Sequence, residues 1–227
     1  MSLFPALAPL RPPPGIDLRC CDVREIVALR GLGATLVHAD PPWQYSVGAA
    51  GKGMAQPELN DIYECMNDAA ITSVLTESSE LAAPGARLLT WTTWPKLGEW
   101  WAAGLAGPGW EYVSGGAWMK AHHVGVGYHW RGHTEPALLF TRPGTSGRAR
   151  EMLGNGHYSR PEEHSRKPLE FLRAMVRAWT DPGDLVVDLW AGLAPMAAAC
   201  KIEGRRYLGA EIDPHRHGLA LSLLRLA

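Results

Sequence analysis

The sequence predicts an α/β chain built on a mostly parallel sheet with helices on both faces. Two observations carry this. Short apolar runs of strand character alternate with stretches of helical spacing along most of the 227 residues. One run, Leu185 to Val187 in "LVVDLWAG", is nearly uninterrupted, as a strand buried on both faces requires.

The elements follow in order. Residues 1–15, "MSLFPALAPLRPPPG", are proline-rich and read as a surface arm; residues 16–227 read as a single domain. "IDLRCCD" is a strand and "VREIVALR" a short helix closed by Gly31. "ATLVHAD" is β-branched at Thr35 and Val37 and makes a short strand with Asp40 at its C-terminal tip. Val47 to Asn60, with its glycines and no apolar period, reads as a mobile loop beside Asp40, of the kind that acts as a lid. "DAAITSVLTESSELAA" spaces Ile71, Val74, Leu75, Leu81 and Ala82 for a helix, which "PG" ends before the strand "ARLLTWTT". "PKLGEWWAAGLA" is helical, "WEYVSGGAWMK" and "EPALLFTR" are strands, and Thr141 to Ser165 has no period and reads as a long loop.

In the last third, "KPLEFLRAMVRAWT" sets Leu169, Leu172, Met175, Val176 and Trp179 on one helical face after Pro168. "DPGD" turns into the strand "LVVD", "PMAAACKIEG" is a helix, "RRYLGAEID" a strand and "PHRHGLALSLLRL" the closing helix.

Composition limits the function. With 46% apolar residues, 20% charged residues and a net charge of −1, the chain reads as soluble, and a nucleic-acid partner would need a local basic patch. The segment from Arg142 to Lys167 offers one, with six Lys or Arg (Arg142, Arg148, Arg150, Arg160, Arg166, Lys167) against three Glu. The same segment serves equally as a solvated loop. The four cysteines form no C-x-x-C pair, which predicts free thiols, a reducing compartment and no structural zinc. His129 and His133, like His215 and His217, lack the further ligands of a metal site and read as surface histidines, so no metal is expected. No segment has the character of a signal peptide or a membrane span, so a cytoplasmic protein is expected.

Chemistry first appears at "DLWAG". It follows a buried strand and opens a helix, and Glu211 stands 19 positions after Gly192 at the next strand's end. This is the pattern of a Rossmann-like nucleotide site: Gly192 makes the turn, Asp188 ends the strand, and Glu211 accepts from ribose hydroxyls. "GLAPM" lacks the further glycines that let a pyrophosphate approach, which argues against NAD and FAD but not against S-adenosylmethionine, which has no phosphate. On these residues alone, Asp188 and Glu211 serve equally well as plain polar residues at strand tips.

The second feature is "HADPPWQY". Proline fixes φ and removes the N–H, so a turn at Pro41 and Pro42 exposes carbonyls without competing donors. The Asp40 carboxylate and a nearby carbonyl then form a rigid acceptor pair for an atom bearing two hydrogens, such as an exocyclic amine. Trp43 and Tyr45 supply a platform on which a base can stack. Most of the tryptophans, Trp91, Trp100, Trp101, Trp110, Trp118 and Trp179 among them, fall in predicted elements and read as core; Trp94 and Trp130 are weaker substrate candidates.

Taken together, "RCCDVREI", "ADPPWQY", "IYECMNDAAITSVL", "LLTWTT", "WEYVSGGAWMK" and "HSRKP" occur in the order seen in the amino-methyltransferases. The chain most resembles the N6-adenine branch typified by the catalytic subunit of the messenger-RNA adenosine methyltransferase. The resemblance implies an S-adenosylmethionine-dependent methyltransferase fold with the catalytic motif ahead of the glycine motif. It also implies that Asp40 and the Pro41 carbonyl hold the target amine and that Trp43 packs on the flipped base. Asp22 and Val23 would contact the cofactor's adenine, Lys167 its carboxylate and Glu211 its ribose, with Asp40 also beside the cofactor and Gly192 forming the turn beneath it. Arg142, Arg160 and Arg166 are the candidates for substrate contact. "DLWAGLAPM" departs from both the bacterial and the eukaryotic forms of that segment, which leaves Ala194 and Pro195 without an assigned contact. N6 methylation of adenine in DNA is the favoured reaction. The same reaction on RNA, N4-cytosine methylation, and a non-catalytic nucleic-acid-binding subunit of a heterodimer are the alternatives, and assembly as a homodimer or heterodimer is left open.

Overall fold

The computed structural model describes residues 12–43, 65–102, 107–121, 133–144, 154–159 and 166–226. Its strands are β1 (Ile16–Cys20), β2 (Ala34–Ala39), β3 (Ala82–Trp91), β4 (Glu111–Lys120), β5 (Thr134–Thr141), β6 (Gly156–Ser159), β7 (Leu185–Asp188) and β8 (Arg206–Glu211). They form one sheet in the order β1-β8-β7-β2-β3-β5-β4-β6. β5 runs antiparallel to β3 and β4, and the other pairings are parallel. The helices are α1 (Val23–Val27), α2 (Asp68–Ser78), α3 (Trp94–Ala102), α4 (Leu169–Trp179), α5 (Pro195–Glu203) and α6 (Pro214–Leu226).

Strand alternation produces two cores. Leu36 and Val37 are adjacent in β2 and point to opposite faces. Val37 packs with Ile26, Leu75, Leu88 and Trp100, whereas Leu36 joins Phe171, Leu172, Val176 and Met196. Helices therefore cover both faces, and the middle strands carry the unbroken apolar runs that a doubly covered parallel sheet demands.

Winding reverses between β7 and β2. From β2 the chain crosses through α2 to β3 on one side; from β7 it crosses through α5 to β8 on the other. The crossovers diverge there and open a crevice beyond the strands' C-terminal ends, where open α/β sheets bind ligands. His38 and Asp188 are register partners across this point.

Local chemistry sets the ends that face the crevice. α1 has five residues, too few to persist alone. It is held by a capping box of Asp22 and Glu25 and by burial of Val23, Ile26 and Val27. Asn67 caps α2 by accepting from Ala70 N at 2.9 Å. Gly192 has φ +57°, a conformation natural to glycine.

Four expectations are corrected. Pro84 and Gly85 lie inside β3 rather than ending the helix before it. They fall where the β2–β3 register shifts, the kind of irregularity at which a strand tolerates proline. The stretch read as one loop from Thr141 contains β6, whose four residues are too few to show a period. Gly116 lets it approach, since a Cβ there would stand 3.0 Å from the Asn155 carbonyl oxygen. α1 stops at Val27, and the following Arg30 and Gly31 both take positive φ. Trp101, expected in the core, is 56% exposed. The predicted 47–60 loop and most of the N-terminal arm lie outside the described residues. Among the described residues, no helix is long and apolar enough to cross a membrane.

Candidate active site

β2 delivers Asp40 to the crevice. Its side chain is 29% exposed and pairs with Lys167 Nζ at 2.6 Å. Lys167, placed just before α4 and itself 5% exposed, also meets Glu135 of β5 at 3.3 Å. Glu135 is ion-paired in turn with Lys120 of β4. Charges thus alternate along Asp40, Lys167, Glu135 and Lys120, and each ammonium lies over an indole: Lys167 over Trp91 at 5.1 Å and Lys120 over Trp118 at 5.0 Å.

The two acids differ because their neighbours differ. Burial lifts the Asp40 carboxyl above the ordinary aspartate range, and Lys167 opposes this only in part. Burial also pushes Glu135 upward, but Lys167 and Lys120 together hold it below the ordinary glutamate range. For Lys167, burial disfavours the charge, and Asp40 with Glu135 more than offsets it, leaving the ammonium above the usual lysine value.

The Asp-Pro-Pro-Trp turn is compact. Trp43 N donates to the Pro41 carbonyl at 2.9 Å, closing a three-residue turn, and Met66 N donates to the Pro42 carbonyl at 2.9 Å. A carbonyl oxygen has two lone pairs, so Pro41 keeps capacity for a second donor. Trp43 is only 3% exposed, and its ring meets Trp100 edge-on at 4.9 Å. It lines the cavity, yet most of its surface is occupied by the protein, so it offers no open stacking face. Tyr45 and Arg160 lie outside the described residues.

A cavity of about 630 Å³ runs from this turn to the ends of β1 and β8. Asp22, Val23, Asp40, Pro42, Trp43, Lys167 and Glu211 all line it, as do Trp91, Thr92, Thr93, Glu135 and Arg216. Glu211 accepts from the backbone N–H of Asp213 at 2.9 Å and from that of Gly192, and burial raises its carboxyl above the ordinary range. Asp22 accepts from Arg24 N at 2.8 Å, and its side-chain bonds to Arg24 hold it below the ordinary aspartate range.

Two expected contacts are corrected. Asp188 is completely buried and outside the cavity lining. Its oxygens are taken by His38 Nδ1 at 2.8 Å and the Tyr207 hydroxyl at 3.0 Å, so it supports the strand ends from beneath. Arg142 lies at the far end of β3, where its N–H meets the Ala86 carbonyl at 2.9 Å and its guanidinium donates to the Ala82 carbonyl. Arg166 precedes Lys167 but is not part of the cavity wall. The sequence reading missed Glu135 and Lys120, which reach Lys167 from other strands. The available signal was a lysine at the end of β4 and a glutamate near the start of β5. Among the described residues, no cluster of three His, Cys, Asp or Glu is arranged to hold a metal.

M.XycI, a type II methyltransferase of Xanthomonas campestris pv. cyanopsidis, is 36% identical over 58 residues, 26% of this chain and 19% of that protein. The match thus spans about a fifth of that relative's length. M.HhaII of Haemophilus parahaemolyticus, also a type II methyltransferase, is 25% identical over 74% of this chain and 75% of its own. The crystal structure of the M1.HpyAVI–SAM complex superposes with a TM-score of 0.69 at 19% identity, covering 92% of this chain and 99% of that one. PvuII DNA methyltransferase, described as cytosine-N4-specific, gives a TM-score of 0.69 at 13% identity over 94% of this chain and 89% of its own. The α/β fold is therefore that of S-adenosylmethionine-dependent methyltransferases. These likenesses bear on the amino-methyltransferases as a group and not on their messenger-RNA branch. The family model described as DNA methylase, covering N6 and N4 methyltransferases, matches residues 55–222, most of the cavity's framework, and the chain belongs to that family.

Proposed function

We propose that this chain transfers a methyl group from S-adenosylmethionine to the exocyclic N6 amine of adenine in DNA. The observation that carries the reading is the Asp40-Pro41-Pro42 turn at the tip of β2, with its carboxylate held by Lys167 inside the cavity.

The cavity's chemistry fits the cofactor. Glu211, fixed by two backbone N–H groups, suits ribose hydroxyls; Val23, Leu189 and Ala210 give apolar wall for a purine beside Asp22; and Lys167 supplies a cation for a carboxylate. The single glycine turn at Gly192 leaves no phosphate cradle, consistent with a ligand that has none. When bound, S-adenosylmethionine supplies an activated sulfonium methyl.

The chain's own residues orient the acceptor. Lys167 engages Asp40 Oδ2, and a carboxylate accepts through both oxygens. Asp40 with the Pro41 carbonyl receives the two N–H groups of the target amine and fixes the direction of its lone pair. Rate then comes from alignment and exclusion of water rather than from a strong base. A paired base must leave the stack to reach this depth, at a few kcal/mol.

N4-cytosine transfer is the second reading. It presents the same two hydrogens, and the fold superposes equally well on a cytosine-N4-specific enzyme. Incubation with labelled S-adenosylmethionine and unmethylated DNA, followed by nucleoside mass spectrometry, separates the two. N6-methyladenine should form, and Asp40→Ala should reduce it about 100-fold or more without loss of cofactor binding. N4-methylcytosine would select the second reading, and full activity in Asp40→Ala would exclude Asp40 as the acceptor.

A further inference from the structure

Trp43 is enclosed by the protein, so a base or its neighbours need another aromatic surface at the cavity mouth. One is present on the opposite face of β5 from the charge ladder. Adjacent strand residues point to opposite faces: Glu135 turns toward Lys167, and Thr134 turns the other way. Thr134 Oγ1 accepts the Trp94 indole N–H at 2.7 Å. Thr134 is the register partner of Met119 in β4, and Met119 is the partner of Tyr158 in β6. Trp94, Met119 and Tyr158 are 54%, 37% and 66% exposed. The row begins at the cavity, because Trp94 follows the lining residues Thr92 and Thr93 and Thr134 precedes the lining residue Glu135.

We propose that Trp94, Met119 and Tyr158 form a stacking track for unstacked nucleobases of the DNA strand beside the target nucleotide. This rests on the reading of the chain as a DNA methyltransferase.

Three features favour a nucleobase as the occupant. First, the track is continuous with the cavity proposed to take the extruded base, so the chain segment next to that base must pass over it. Second, the indole is pinned by its polar atom while much of its ring stays open, which gives a flat face at little entropic cost. Third, the residues of the row follow one another across neighbouring strands roughly 4.8 Å apart. It includes the hydroxyl of Thr134 and ends in a phenol, which suits a ribbon of flat rings better than a protein's aliphatic patch. Met119 is held low across β6: a Cβ at Gly156 would fall 2.9 Å from its terminal methyl. Stacking of this kind tolerates any base, so the track would add affinity for an opened strand without specifying its sequence.

The test uses the full chain with DNA oligonucleotides carrying 2-aminopurine beside the target base and labelled S-adenosylmethionine. For Trp94→Ala and Tyr158→Ala, KM for DNA should rise roughly 5- to 150-fold, the range expected for one lost base stack. The dissociation constant for S-adenosylmethionine should stay within about twofold of wild type, which also verifies the fold. Quenching of 2-aminopurine by the bound protein should weaken in the same variants, and Trp94→Phe and Tyr158→Phe should largely restore both readouts. Wild-type KM and quenching in Trp94→Ala and Tyr158→Ala would overturn the track while leaving the methyltransferase reading intact. Failure of the wild-type protein to methylate or bind any DNA would overturn both.

Discussion

At the scale of single side chains, the tautomer of His38 follows from its neighbours. The Trp91 indole only donates, and it reaches His38 Nε2 at 3.1 Å, so that nitrogen accepts. The proton therefore sits on Nδ1 and is donated to Asp188, whose other oxygen accepts from Tyr207. This Asp–His pair resembles part of a nucleophile's relay but ends on an indole, and that indole is the floor beneath Lys167. His38→Leu would leave a buried carboxylate oxygen and a buried indole N–H without partners, at about 1–3 kcal/mol for each. Urea unfolding should show a loss of about 2–6 kcal/mol, with His38→Gln losing less because its amide can donate and accept. A second consequence concerns Asp40, which in the proposed reaction must be ionised to accept an amine, so activity should fall as pH drops through its pKa. Burial raises that pKa, Lys167 opposes the rise, and Glu135 adds to it. Lys167→Met removes the opposing charge, so the acid limb of the pH–rate profile should move to higher pH at saturating cofactor. A limb that stays put or moves down would show that another group titrates. Asp40, Lys167, Asp22 and Glu211 were legible because each sits in a short motif at an element's end. Glu135 and Lys120 were not, since their role exists only once β4 and β5 are laid beside the β2 tip.

At the scale of elements, legibility followed length and amphipathic contrast. α4 could be read from Leu172 and Val176, both fully buried, with Leu169 and Met175 packed beside them. β7 announced itself through Val186 and Val187. What escaped was set by neighbours rather than by period: β6 exists because β4 offers an edge and a glycine, and Pro84 with Gly85 survives in β3 because the register shifts there. α1 shows how an element and a site share residues. Asp22 caps it through Arg24 N and also lines the cavity, so removing the side chain acts twice. Asp22→Ala should lower stability by about 1 kcal/mol and weaken cofactor affinity, whereas Asp22→Asn, an equally good cap, should keep the stability. Paired urea titrations and calorimetric binding measurements separate the two effects; equal stability losses in both variants would mean that charge rather than capping holds the helix.

At the scale of the whole molecule, the cavity is walled by segments from both halves of the sequence. Cys21 to Arg24 with Asp40, Pro42 and Trp43 meet Lys167, Leu189 and the run from Ala210 to Pro214 across the switch between β7 and β2. A ligand seated there joins parts of the chain that the unfolded state separates, so its binding energy becomes folding energy. S-adenosylmethionine at a hundredfold excess over its dissociation constant should add about 2.7 kcal/mol to the unfolding free energy. For a chain of this size that corresponds to a rise in Tm of roughly 5–10 °C. The rise should be reproduced by S-adenosylhomocysteine, which keeps the ribose, purine and carboxylate, and reduced in Glu211→Gln and Lys167→Met by amounts that track their weaker binding. NAD should give no rise, because the Gly192 turn has no companion glycines to admit a pyrophosphate. A melting point that NAD raises and S-adenosylmethionine does not would reverse the assignment of the cavity, since the same acid at the end of β8 would then be serving a dinucleotide.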